Sequence, residues 1–184
     1  MSNFETRFRQ IFYQICAEDY STALTLICPL IDRAGKEIYG IKKTGVRFKK
    51  VIYDNNDFIY WMMSGGVLIM DKDAKFIFNR EGKENIDLAQ SIYKFVRSNL
   101  LHEAELSDQI KFTKEITFGP NGNKLIFPIN LIWALVFMLS YLDCYKGDFP
   151  KKDYQLSICG VQVPLCEIWG NKEKVIEFFY NYIY

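Results

Sequence analysis

The stretch YKFVRSNLLHEAEL, residues 93–106, holds the chain's only histidine, His102, five positions after Arg97. An imidazole is the usual side chain for moving protons near neutral pH. A guanidinium presents a planar fork of donors to an oxyanion. Ser98 lies four residues before His102, so the two can touch on a helix. That pair is not a hydrolase relay, because the chain has no G-x-S-x-G elbow and no second histidine. No cysteine lies near His102 in the sequence, which leaves a Cys/His nucleophile equally weak. A lone histidine also argues against a zinc site built from His pairs. Asp71 and Asp73 lack the later ligands and central glycine of a calcium loop. The expectation is chemistry without a metal or cofactor.

A helix must carry these side chains, and the pattern predicts one over residues 86–104. Asn85 is a good N-cap, and Asp87 in the first turn suits the helix dipole. Leu88, Ile92, Phe95, Val96 and Leu100 form a core stripe at helical spacing, with Asn99 as its one polar member. With Ile92 at zero, Arg97 falls at about 140°, Leu101 at about 180°, Ser98 at about 240° and His102 at about 280°. Arg97 and His102 thus bracket an outward face with Leu101 in its middle. An outward leucine among polar groups suits a partner helix better than water.

The remainder of the chain predicts a mainly α fold, one domain over 1–184, with one or two small antiparallel β-hairpins. Its 184 residues suffice to bury a core, and 49% hydrophobic and 16% aromatic content argues for a folded chain. Helical periodicity runs through residues 4–39, where Pro29 should kink or divide it, and again through 44–63, interrupted at DNND. Residues 65–79 read as a small hairpin turning at DKDA. IKFTKEITF (110–118) and KLIFPI (124–129) read as a second hairpin through GPNGN. Asn130 should cap an apolar helix over 131–145 that Gly147 and Pro150 terminate. Residues 156–169 look extended, and Asn171 can cap a last helix.

A net charge of +1 gives no global footprint for nucleic acid, so any RNA contact must be local. The run KKTGVRFKK (42–50) is either such a patch or the solvated face of a helix. Cys16, Cys28 and Cys144 fall in apolar helical patterns and read as small buried hydrophobes. Cys159 and Cys166 flank GVQVPL, and a disulfide between them stays open. A reducing cytoplasm is the simpler expectation. The N-terminus lacks a signal-peptide core, and the apolar run 131–142 is short of the roughly 20 residues a bilayer needs. No membrane contact is expected.

The R-x4-H spacing from Arg97 to His102, near the end of a helix in a mostly helical chain, resembles the HEPN superfamily. That family's pattern is an arginine followed after four to six residues by histidine. A polar Asn, Asp or His commonly follows the arginine, where this chain has Ser98 and then Asn99. LTLICPLIDRAGKEIYG followed by RFKKVI is also similar to the early helices of some bacterial HEPN-like proteins. The resemblance implies a helical bundle that dimerises through this helix and joins two Arg/His pairs in one cleft. It further implies a metal-independent endoribonuclease with Arg97 on phosphate, His102 as general acid or base, and Ser98 or Asn99 in support. Leu101 would lie at the homodimer interface. Other members are non-catalytic RNA- or nucleotide-binding modules, or work with an antitoxin or other protein partner. Read without the resemblance, Arg97 and His102 are surface or salt-bridging groups beside Glu103 and Glu105.

Overall fold

The N-terminal apolar repeat folds as two helices, α1 (Asn3–Cys16) and α2 (Tyr20–Tyr39). They belong to a computed structural model that describes residues 3–68, 74–79, 82, 84–103, 105–148, 155–158 and 161–183. The division falls at residues 17–19, not at Pro29. Glu18 turns the chain with φ 59°, and the Asp19 carboxylate restarts the helix by accepting the Thr22 N–H at 3.0 Å. Pro29 sits exposed inside α2, where the helix runs on past it. Gly40, at φ 65°, closes α2 through its N–H to the Lys36 carbonyl.

Helices α3 (Thr44–Tyr53) and α4 (Asn56–Met63) are separated at Asp54 and Asn55, as the DNND interruption predicts. α3 lies close against α2. A Cβ on Gly35 would come within 2.7 Å of the Arg47 carbonyl oxygen, so only glycine admits this approach. The Arg47 guanidinium then holds Asp32 with two bonds, at 2.8 and 2.9 Å.

The β elements differ from the expected hairpins. Strand β1 (Ile77–Phe78) pairs antiparallel with β2 (Ile86–Asp87), so its partner lies downstream of it. Val67 and Leu68 form no strand, and Asp71–Asp73 of the expected turn lie outside the described residues. β3 (Ile110–Thr113) runs parallel to β5 (Lys124–Pro128), while β4 (Gly119–Asn121) pairs antiparallel with β5. The hairpin is therefore β4–β5, turning through Gly122 at φ 55°. Residues 114–118 are long enough to carry the chain around, which puts β5 between the other two strands.

Helix α6 (Asn130–Tyr141) starts at Asn130 and stops short of the expected 145, because Leu142 turns extended and Asp143–Asp148 winds as a 3-10 segment. Tyr145 in that segment is buried and donates to the Leu30 carbonyl at 2.6 Å, which holds the tighter winding against α2. Gly147 lies within the 3-10 segment, and Pro150 lies outside the described residues. Strands β6 (Gln155–Ile158) and β7 (Val161–Pro164) make a hairpin, followed by a single helical turn at Leu165–Ile168. The last helix, α7 (Lys172–Ile183), is capped as expected: Asn171 Oδ1 accepts the Lys174 N–H at 3.0 Å.

The fold is mainly α with small β elements. One apolar core gathers Ile11, Ile27, Ile52, Tyr60, Leu88, Val96, Leu135 and Val175 from helices along the whole chain. Cys28 is buried and Cys144 half-buried, but Cys16, the last residue of α1, is exposed and contradicts its expected burial. Cys159, half of the open disulfide question, lies outside the described residues. Among the described residues, no helix is long and apolar enough to cross a membrane.

Candidate functional site

Strand β2 leads directly into the helix that carries Arg97 and His102. Its N-cap is Asp87, two residues after the expected Asn85. Asp87 Oδ1 accepts the Gln90 N–H at 2.8 Å, and the Gln90 side chain accepts the Asp87 N–H at 3.4 Å. The second Asp87 oxygen accepts the Tyr53 hydroxyl at 2.8 Å, tying the helix start to α3. Asp87 wins because these three donors converge on it, whereas Asn85 is exposed ahead of the strand. The helix, α5, continues without a break through Leu88–Ser91, Ile92–Ser98 and Asn99–His102. Its end at His102 leaves Glu103 as the C-cap, and Ala104 of the expected span lies outside the described residues.

The middle segment, Ile92–Ser98, is wound as a π-helix. Its bonds close over five residues instead of four, a winding that recurs at functional sites. The wider turn advances less per residue than the 100° of an α-helix, so residues five apart approach one line along the axis. The core stripe survives this change. Leu88, Ile92, Phe95, Val96 and Leu100 are all buried, and Asn99 is half-buried with its amide 3.4 Å from Glu103.

Arg97 is half-buried, with its guanidinium carbon 5.3 Å from the centre of the Tyr93 ring. Tyr93 in turn lies against α3. A Cβ on Gly45 would fall 2.9 Å from its Cζ and hydroxyl, and the Phe48 ring is 5.7 Å away between centres. Arg97 also faces α2: burial pushes the Cys28 thiol up to about 12, and the Arg97 charge draws it partly back. Ser98 lines a cleft of about 260 Å³ together with Lys49, Glu84, Ile86, Gln90, Tyr93 and Lys94.

His102 is exposed, and Leu101 beside it is 50% exposed. One chain therefore groups Arg97 with Tyr93 and Ser98 with the lysine-bearing cleft. It leaves His102 and Leu101 on the outer surface at the end of α5. Sequence reasoning missed Tyr93, Lys94 and Lys49. Two signals pointed to them: a glycine inside the helical run KKTGVRFKK, and an aromatic residue four before Arg97. Among the described residues no group of three or more His, Cys, Asp or Glu side chains could hold a metal ion.

A family model described as Rv1289 matches residues 5–182 of the chain. Comparison with curated proteins gives no match, and comparison with solved structures gives none either.

Proposed function

The chain belongs to the Rv1289 family, and from that premise we propose that it is a metal-independent endoribonuclease of HEPN type, working as a homodimer in the cytoplasm. The observation that carries this reading is the arrangement at the end of α5. Arg97, Ser98, Leu101 and His102 occupy one short stretch of helix, and the leucine between the polar groups is half exposed. A second copy docked on Leu101 would bring two arginines and two exposed imidazoles to one seam.

The reaction follows from the residue types. Arg97 holds the scissile phosphate and stabilises the charge that grows on its oxygens. His102 of one copy takes the proton of the ribose 2′-hydroxyl as that oxygen attacks phosphorus. The bond from phosphorus to the 5′ oxygen breaks, and His102 of the other copy gives the leaving oxygen its proton. The products are a 2′,3′-cyclic phosphate and a 5′-hydroxyl, with no net proton change. Ser98 and Asn99 support the imidazole or the substrate.

Incubating purified protein with mixed RNA in EDTA tests this. Loss of one positioned proton-transfer group costs roughly 100- to 10,000-fold, so His102→Ala and Arg97→Ala should each nearly abolish cleavage. Cleavage that persists in either variant assigns the chemistry elsewhere.

A second reading is an RNA- or nucleotide-binding module without cleavage. The cleft of Lys49, Tyr93, Lys94 and Ser98 favours it, since a pocket of cations beside an aromatic ring needs no catalyst to be useful. RNA retained but never cut by the wild-type protein selects this reading.

A further inference from the structure

The cleft between α3 and α5 differs from the rest of the basic run that feeds it. Arg47 is held by Asp32 and Lys50 by Asp54, so two cations of KKTGVRFKK are already matched by carboxylates. Lys49 makes no such pair with a described residue, and neither does Lys94 across the cleft from it. Lys49 Nζ instead sits 6.0 Å from the centre of the Tyr93 ring, whose place is fixed by Gly45. Two ammonium groups thus face one lining carboxylate, Glu84, in a space of about 260 Å³ with the Ser98 side chain at its wall. That volume admits a sugar–phosphate unit. The Lys49 and Lys94 ammonium groups and the Ser98 hydroxyl are donors suited to phosphate oxygens.

The π winding relates this cleft to the chemistry. Tyr93 and Ser98 are five residues apart and line the same pocket, and Arg97 rests on that same Tyr93 ring. A strand with one phosphate at Arg97 therefore has a second cationic pocket beside it on the same helix.

We propose that the Lys49–Tyr93–Lys94–Ser98 cleft is a flanking subsite that holds a second phosphodiester of single-stranded RNA, next to the one bound by Arg97. It rests on RNA being the ligand of α5. The subsite fixes which part of the strand reaches His102 and does not itself take part in cleavage.

The test uses the full chain carrying His102→Ala, so that bound RNA stays intact, and a fluorescein-labelled oligouridylate read by anisotropy over a salt series. Adding Lys49→Ala and Lys94→Ala should weaken binding by about tenfold or more. It should also reduce the salt slope by about 1.4, from two contacts at about 0.7 each on a single strand. Lys49→Arg with Lys94→Arg should restore most of the affinity. Lys36→Ala with Lys124→Ala, an exposed pair elsewhere, should leave it within about twofold, since only non-specific charge is lost. Melting curves of each variant confirm that the fold persists. Affinity and slope unchanged by the cleft pair, lowered equally by the control pair, or no RNA binding at all, overturn the subsite. Lysine-dependent binding with no cleavage by the wild type keeps the subsite and removes the nuclease. Cleavage with lysine-independent binding does the reverse.

Discussion

The Arg97 guanidinium lies over the Tyr93 ring, 5.3 Å from its centre, and the ring is seated on the bare backbone of Gly45. Position is thus passed from α3 through an aromatic ring to the cation proposed to hold phosphate. Arg97→Lys keeps the charge but loses both the planar stack and the two-pronged grip. It should cost about 1–2 kcal/mol of phosphate binding, roughly tenfold in kcat/KM. Stability should fall by no more than about 1 kcal/mol, the scale of one partly exposed cation–π contact. Steady-state cleavage together with thermal melting measures both.

Gly45→Ala separates two opposed effects. Alanine in a helix is favoured over glycine by about 1 kcal/mol. Here the new Cβ meets the Tyr93 ring at 2.9 Å, and overpacking of that kind costs about 1–3 kcal/mol. The net expectation is destabilisation, relieved when Tyr93→Leu is added. A double-mutant cycle by urea unfolding gives the coupling between the two sites. A Gly45→Ala variant more stable than wild type would show that Tyr93 is not seated there.

Asp87→Ala removes a helix cap and a tie to α3 together. The cap alone is worth about 1–2 kcal/mol, and the Tyr53 hydroxyl left without its acceptor adds about 1 kcal/mol. The expected loss is about 2–3 kcal/mol in urea unfolding. Asn85→Ala, in contrast, should change stability by less than about 0.5 kcal/mol, as expected for an exposed residue outside the cap.

The helical segments were legible because their apolar spacing needs no distant partner to be read. The stripe Leu88, Ile92, Phe95, Val96 and Leu100 is buried as its spacing predicts. What failed was decided by neighbours far along the chain. Asp87 outranks Asn85 as cap because Tyr53, thirty-four positions earlier, donates to it. β3 joins β5 in parallel because a third strand takes the antiparallel edge, and turn residues alone do not record strand order. The wheel assumed a uniform turn per residue, so it carried no trace of the π segment that sets Arg97 and Ser98. Leu101 was read correctly as outward, since a leucine among Arg97, Ser98 and His102 breaks the pattern locally. The cleft lysines were not legible individually, because exposure and pairing depend on which carboxylates α2 and α3 bring near.

Cys28 provides a check on the packing behind Arg97. Its thiol is buried, and that burial raises it from 9.0 to about 12. The folded chain therefore holds the proton where the unfolded chain would release it. The resulting stability is fully present below pH 9 and is lost as pH rises through about 12. Melting temperatures should fall across that window, less steeply in Cys28→Ala after allowance for its cavity. At pH 8, iodoacetamide should label exposed Cys16 well before Cys28. Equal labelling of both would mean that the α2–α5 packing opens in solution.

Leu101 supplies the sharpest prediction about assembly. Half of its surface faces water, and full burial of a leucine is worth about 1.5–3 kcal/mol, so covering the remaining half contributes about 1 kcal/mol per copy. In a twofold interface the residue meets the same surface of its mate, and both copies gain. Leu101→Glu reverses this by placing two carboxylates face to face at the seam. The variant should fold like the wild type, because the position is already exposed, yet dissociate at concentrations where the wild type stays dimeric. Light scattering over a dilution series reads that difference directly. Cleavage should fall in step with the dimer fraction, because each site needs an imidazole from both copies. A Leu101→Glu chain that is monomeric and still cleaves RNA at the wild-type rate would leave the dimer without a role. A variant that dimerises like the wild type would move the interface off this face of α5.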